Sequence, residues 1–202
     1  MLTQVVGEFE ERAKKNQLDI VQHLQEEITD YITKLFSSGN LTELQSEQTA
    51  GLLYVTNNIE RIADRCQDID SIWIKIQDDG MSFSEEAGKE IENCINVLLD
   101  LLRQAMTAVK EGSEEEAELV FKNKKKLHKA EKKFNKAHLN RVKNQKCDPA
   151  MTGCFSGILY NLDRAADNCV SIAEEALDNQ GFVKLGEAAR NFAAPTAVVK
   201  AV

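Results

Sequence analysis

The sequence predicts an all-α chain of two tandem helical units, and three observations carry that prediction. Only 2 Pro and 10 Gly punctuate 202 residues, and aromatic residues make up just 6%, which leaves few breakers and little strand-favouring bulk. Apolar residues recur in long alternating steps of three and four, the period of a helix seam. Finally, one stretch occurs twice. Residues 58–69 read NIERIADRCQDI and residues 161–172 read NLDRAADNCVSI, 103 positions later, with six of twelve positions identical. Self-similarity at a fixed offset marks a duplicated structural unit.

The elements follow in order. Residues 1–37 read as one long helix with Leu2, Val5, Phe9, Ala13, Val21, Leu24, Ile28, Ile32 and Leu35 apolar, ended by Ser37-Ser38-Gly39-Asn40 with Gly39 near the C′ position. Thr42 and Gln45 form a capping-box start for a second helix. Its seam runs Leu52, Val55, Ile59, Ile62, Cys66, Ile69, Trp73 and Ile76 before Asp78-Asp79-Gly80 ends it. A third helix opens after Ser82 or Ser84 and follows Ile91, Ile95, Leu98, Leu102 and Val109 to Gly112. Ser113 and Glu116 suggest another capping box, opening a helix with a thin apolar side of Ala117, Val120, Leu127, Phe134 and Leu139. Asp148-Pro149 reads as N-cap and first turn of the last helix, which runs to Gly181 with a seam of Ile158, Leu162, Ala165, Cys169, Ile172 and Ala176.

Grouped by the repeat, these helices make a first unit over 1–80, a second over 81–181 and a tail over 182–202. The 103-residue offset places Met1 opposite Gln104, near the end of the helix that opens the second unit. The first unit is therefore expected to lack its opening helix, which leaves an apolar groove for another chain or the tail to fill.

Net charge is −8, unevenly spread: residues 122–146 hold 11 Lys and Arg against the single acid Glu131. A solvated helix face is the leading account of that run, followed by a surface for anionic lipid or an acidic partner. Nucleic-acid binding is disfavoured by the acidic total and by the lack of interleaved stacking aromatics. Five cysteines without a CxxC pair point to reduced thiols and the cytoplasm, with Cys66 and Cys169 expected in the seam as small hydrophobes. No apolar run is long enough to span a membrane. The three histidines lack the Glu-x-x-His spacing of a di-iron bundle, and no phosphate loop, nucleophile elbow or HExxH occurs.

The repeated stretch carries the candidate chemistry. Glu60/Asp64 and Asp163/Asp167 are acidic pairs at i, i+4. In both seams the first acid falls at heptad position b and the second at f, so both pairs are expected on the solvent side, in line with Asn57 and Asp68 in the first copy. Like charges at that spacing, roughly 5–6 Å apart at Cβ, cost a few tenths of a kcal/mol unless something binds them. A cation would relieve the cost, and oxygen ligands suit Mg, Mn and Fe, with Zn also open. Arg61 and Arg164 follow the first acid of each pair. They read either as intrahelical ion pairs, Arg61 with Asp68 for instance, or as groups that hold a metal-binding carboxylate in place.

The motif E/D-R-x-x-D, preceded by Asn and placed in the last helix of each unit, resembles the PhoU family of phosphate-uptake regulators across most of residues 8–180. The resemblance implies tandem antiparallel three-helix bundles whose surface motifs hold mono- or multinuclear metal clusters of Fe, Mn or Zn, Mg being open. It carries over to Glu60, Asp64, Asp163 and Asp167, and less surely to Asn57, Asn58 and Asn161. Asp163 departs from the family, which more often has Glu there. The implied role is non-enzymatic regulation of phosphate transport, at the cytoplasmic face of the inner membrane, by contact with a transporter's membrane component or its signalling partner. The truncated first unit suits the cytoplasmic extension of a sodium/phosphate cotransporter, and a homo-oligomer is left open. The rival reading is a helical adaptor or scaffold whose acidic stripes bind no metal.

Overall fold

The computed structural model describes residues 2–179 and residue 182, with side chains from residue 17 onward. Five helices follow in order: α1 (Leu2–Ser37), α2 (Glu43–Asp78), α3 (Glu85–Glu111), α4 (Glu114–Lys143) and α5 (Met151–Asp178). The described residues contain no strand. The tail expected over 182–202 lies, apart from Phe182, outside the described residues, as do the first side chains of α1.

Local chemistry sets the helix ends. Thr42 caps α2 in a complete capping box, accepting from the Gln45 backbone N–H at 3.2 Å while Gln45 Oε1 accepts from the Thr42 N–H at 2.9 Å. Ser84 and Ser113 cap α3 and α4 through the N–H groups of Ala87 and Glu116. Gly112 closes α3 in the left-handed region, φ 59°, where a side chain would strain the backbone. The start of α5 differs from expectation. Asp148 Oδ1 accepts from the Ala150 N–H at 2.8 Å, so it shapes a turn ahead of the helix, which begins at Met151 without a side-chain cap. The helix also ends at Asp178, short of Gly181.

Packing is centred on α5. It lies against α2, α3 and α4, whereas among the described residues α1 touches α2 alone. Thirteen of the 28 residues of α5 are buried, over a broad arc that leaves a narrow exposed face with Tyr160 and Arg164, which is how a helix with three neighbours reads. Small residues let those neighbours approach: Ala165, Ala166, Ala173 and Ala176 are buried, and a Cβ on Gly157 would stand 3.0 Å from Ile72 Cδ1. At the far end Gly51 of α2 gives room to Asn179, which donates to the Glu47 carbonyl at 2.9 Å. The core joins Val55 and Ile62 of α2 to Leu98 and Leu101 of α3, Val120 and Leu127 of α4, and Phe155, Ile158 and Leu162 of α5. Each fully buried large side chain contributes about 1.5–3 kcal/mol.

The α2 seam is only half covered. Val55, Ile62 and Ile76 are buried, but Leu52, Cys66 and Trp73 are exposed; for Cys66 and Trp73 this is because no element among the described residues closes the space between α2 and α3. An apolar groove of about 800 Å³ runs there, lined by Cys66, Trp73, Phe83, Ile91, Ile95 and Ile158 among others. Cys66 is thus not the buried seam thiol that the heptad implied. Cys169 is: burial pushes its thiol up to about 12 and that of Cys94 up to about 11, leaving both unreactive at neutral pH.

His138 of α4 is buried, stacks on Phe155 with centroids 4.5 Å apart, and has no hydrogen-bond partner at either ring nitrogen among the described residues. Burial first, and then the Arg141 charge, hold its pKa below the ordinary value, with Glu90 opposing. The folded chain therefore binds fewer protons here than the unfolded chain once pH drops below about 6.5. Stability at this site is complete above that pH and declines as pH falls toward the lowered folded value. Urea midpoints measured between pH 7.5 and 5 should fall more steeply for the wild-type chain than for His138→Phe. Parallel curves would refute the linkage.

Candidate functional site

The two copies of the repeated stretch fold alike and end up in different surroundings. In α2, Asn58 is buried and donates to the Tyr54 carbonyl one turn back at 2.9 Å. In α5, Asn161 does the same to the Gly157 carbonyl at 3.2 Å. Both copies therefore present their acids from equivalent helical positions.

Around the first pair no cation among the described residues comes within ion-pairing distance of either carboxylate. Glu60 and Asp64 are half-buried on α2, and among the described residues neither carboxylate makes a hydrogen bond or an ion pair. Arg61 is exposed and likewise pairs with no described residue, so the Arg61–Asp68 contact expected from the sequence is absent. Arg65 takes that role instead, 2.9 Å from Asp68. Asn57 accepts from Gln25 Nε2 of α1 at 3.0 Å, which places α1 beside this face.

The second pair is another matter. Asp163 is buried, only 3% exposed, which corrects the solvent-side placement drawn from its heptad position. That placement assumed one packing seam, but α4 covers this flank of α5 as well. Lys124 of α4 reaches between the two acids. Its Nζ lies 2.6 Å from Asp163 Oδ1, 2.7 Å from Asp167 Oδ1 and 2.8 Å from the Asp163 carbonyl oxygen. Three oxygens account for all three donors of the ammonium group. Arg164 adds contacts of 2.9 Å to Asp167 Oδ2 and 3.4 Å to Asp163 Oδ2, and its guanidinium lies over the Tyr160 ring. His128 Nδ1 is 3.3 Å from Asp163 Oδ2 and 3.4 Å from Glu131 Oε2. Burial alone would raise the Asp163 carboxyl, but the Lys124 hydrogen bond and charge, with His128, outweigh it and hold the carboxyl below its ordinary value.

His128, Glu131 and Asp163 each bring one ligand atom within 4.8 Å of the others. Neither His128 nor Glu131 nor Lys124 stood out in the sequence, where the basic run read as a solvated face. A signal was present. Ala117, Val120, Lys124, Leu127, Glu131, Phe134 and His138 step 3,4,3,4,3,4, so three polar residues hold seam positions of α4. Polar residues on a core face need partners: Lys124 has Asp163 and Glu131 has His128, whereas His138 stacks on Phe155 with its ring nitrogens unpartnered among the described residues.

The two copies also touch. Arg65 of the first donates to Asn161 Oδ1 of the second at 3.3 Å, so a change at one motif has a direct polar route to the other. No helix among the described residues is long and apolar enough to cross a membrane.

Comparison with known families finds one match: a model described as PhoU domain covers residues 11–71 and 91–176. No curated protein and no solved structure matches the chain.

Proposed function

The chain belongs to the PhoU domain family, and from that membership we propose that it is a non-enzymatic regulator of phosphate transport that senses or is shaped by a bound metal ion. The observation that supports metal binding is the first acidic pair. Glu60 and Asp64 stand at i, i+4 with no internal cation among the described residues, an arrangement that is mildly repulsive until a cation arrives. These two carboxylates would hold Fe, Mn or Zn, with Mg as a harder alternative. When bound, the ion supplies positive charge that neutralises the pair and ties α2 into a defined shape.

Regulation would then pass by contact with the membrane component of a phosphate transporter, or a signalling protein attached to it, on the cytoplasmic side. The α1 face bearing Ile20, Leu24, Ile28 and Tyr31 suits such a contact, since all four are exposed along one stripe and, among the described residues, α1 packs on α2 alone.

Elemental analysis tests the metal. Protein purified without chelator should carry Fe, Mn or Zn in near-stoichiometric amount, and a Glu60→Gln/Asp64→Asn variant should carry little. If both preparations stay metal-free after incubation with each ion, the chain is a structural adaptor and its first acidic pair is a solvated face.

A further inference from the structure

We propose that Lys124 is a built-in cation that closes the second carboxylate pair to metal, so that the two copies of the motif have divided into one metal-binding site and one internally neutralised site. The inference rests on the metal-binding reading of Glu60 and Asp64, and it concerns what the rest of the chain does to the duplicate.

Charge and geometry carry it. Asp163 and Asp167 bring two negative charges, and Lys124 and Arg164, both within hydrogen-bonding reach, bring two positive ones. The pair is neutral before any ion arrives. The Lys124 Nζ also stands at the point where a cation would bind, with three oxygens at 2.6, 2.8 and 2.7 Å. A metal ion entering there must displace a charged group whose side chain is only 14% exposed. The displaced ammonium would leave three strong charge-assisted bonds behind.

Among the described residues the first copy has no such plug. The 103-residue offset that superposes the motifs carries Lys124 onto Val21 and His128 onto Gln25. Gln25 lies on the matching flank, bonded to Asn57 beside the first pair. An apolar residue and an amide thus stand in α1 where α4 has a cation and an imidazole. The asymmetry resides in the helix opposite the motif, not in the motif.

Removing Lys124 should open the second pair, with His128 and Glu131 alongside as further donors. The probe is Mn²⁺ alone, with bound ion per chain read by equilibrium dialysis and the thermal midpoint read with and without Mn²⁺. Lys124→Met, which keeps the packed stem, and Lys124→Ala should about double saturating uptake relative to the wild-type chain and gain a Mn²⁺-dependent rise in midpoint. Lys124→Arg, which keeps the charge, should stay at the wild-type level. Asp163→Asn/Asp167→Asn should leave wild-type uptake unchanged but abolish the gain when combined with Lys124→Met.

Unchanged uptake in both uncharged variants overturns the inference, as does a wild-type chain that loses ion on Asp163→Asn/Asp167→Asn. Either result leaves the reading of Glu60 and Asp64 standing provided Glu60→Gln/Asp64→Asn abolishes the wild-type signal. A wild-type chain that takes neither Mn²⁺ nor, in parallel dialysis, Fe²⁺ or Zn²⁺, while Lys124→Met takes one, supports the plug and defeats the first-pair reading. No uptake of any of the three ions by either chain defeats both.

Discussion

A Phe155→Ala chain should unfold with about 3–5 kcal/mol less free energy than the wild type, the range for truncating a fully buried aromatic ring. Phe155 is wholly inaccessible on α5. Its ring meets Phe83, which precedes α3, edge-on with centroids 6.0 Å apart, and stacks on His138 of α4 at 4.5 Å. One side chain therefore joins three segments that are distant in sequence. Removing it forfeits transfer free energy and leaves a void that two other rings cannot collapse into without losing their own contacts. Urea unfolding followed by far-UV circular dichroism gives the loss directly, and Phe155→Leu should cost markedly less. A loss for Phe155→Ala below about 1 kcal/mol would mean that the ring stack does not form in solution.

Glu90→Leu should also be damaging, at about 1.5–3 kcal/mol, because it leaves a half-buried guanidinium without its charge-assisted hydrogen bonds. Arg141 of α4 engages both carboxylate oxygens of Glu90 on α3, with Nη1 3.0 Å from Oε1. The two side chains are 16% and 15% exposed, so water replaces the lost partner only in part. A Glu90→Leu/Arg141→Met chain removes both charges together and should recover most of the loss, since a buried pair is worth far less than the penalty for breaking it. The comparison is a double-mutant cycle on urea midpoints. Losses that simply add would show that the pair is solvated and independent. The same reasoning explains why a helix as basic as α4 can belong to the core: its inward cations Lys124 and Arg141 are matched from α5 and α3.

Helix existence, helix order and most helix ends were legible in the chain alone, since each depends on residues within a few positions. Thr42 with Gln45, Ser84, Ser113 and Gly112 bound their helices through contacts one turn long. The Asp148-Pro149 start was misplaced for the same reason in reverse, because an Asp that can cap a helix can equally bend the turn before it. The duplication, and with it the two acidic pairs, also needed only the sequence.

What the tertiary structure decided is which copies of equivalent residues meet water. Heptad position tells which side chains share a face. It does not tell how many neighbours a helix has. α2 has two and leaves Glu60 and Asp64 half open, while Cys66 and Trp73 stay exposed. α5 has three, so Asp163 at the same heptad position is buried. Burial of a carboxylate demands a counter-charge, and Lys124 supplies it from 39 residues away in the chain. The seam of α4 recorded that Lys124 faces inward; only the packing of α4 on α5 showed what it faces. Periodicity is a property of one helix, whereas desolvation is a property of its surroundings, and the division of labour between the two motifs rests on the second.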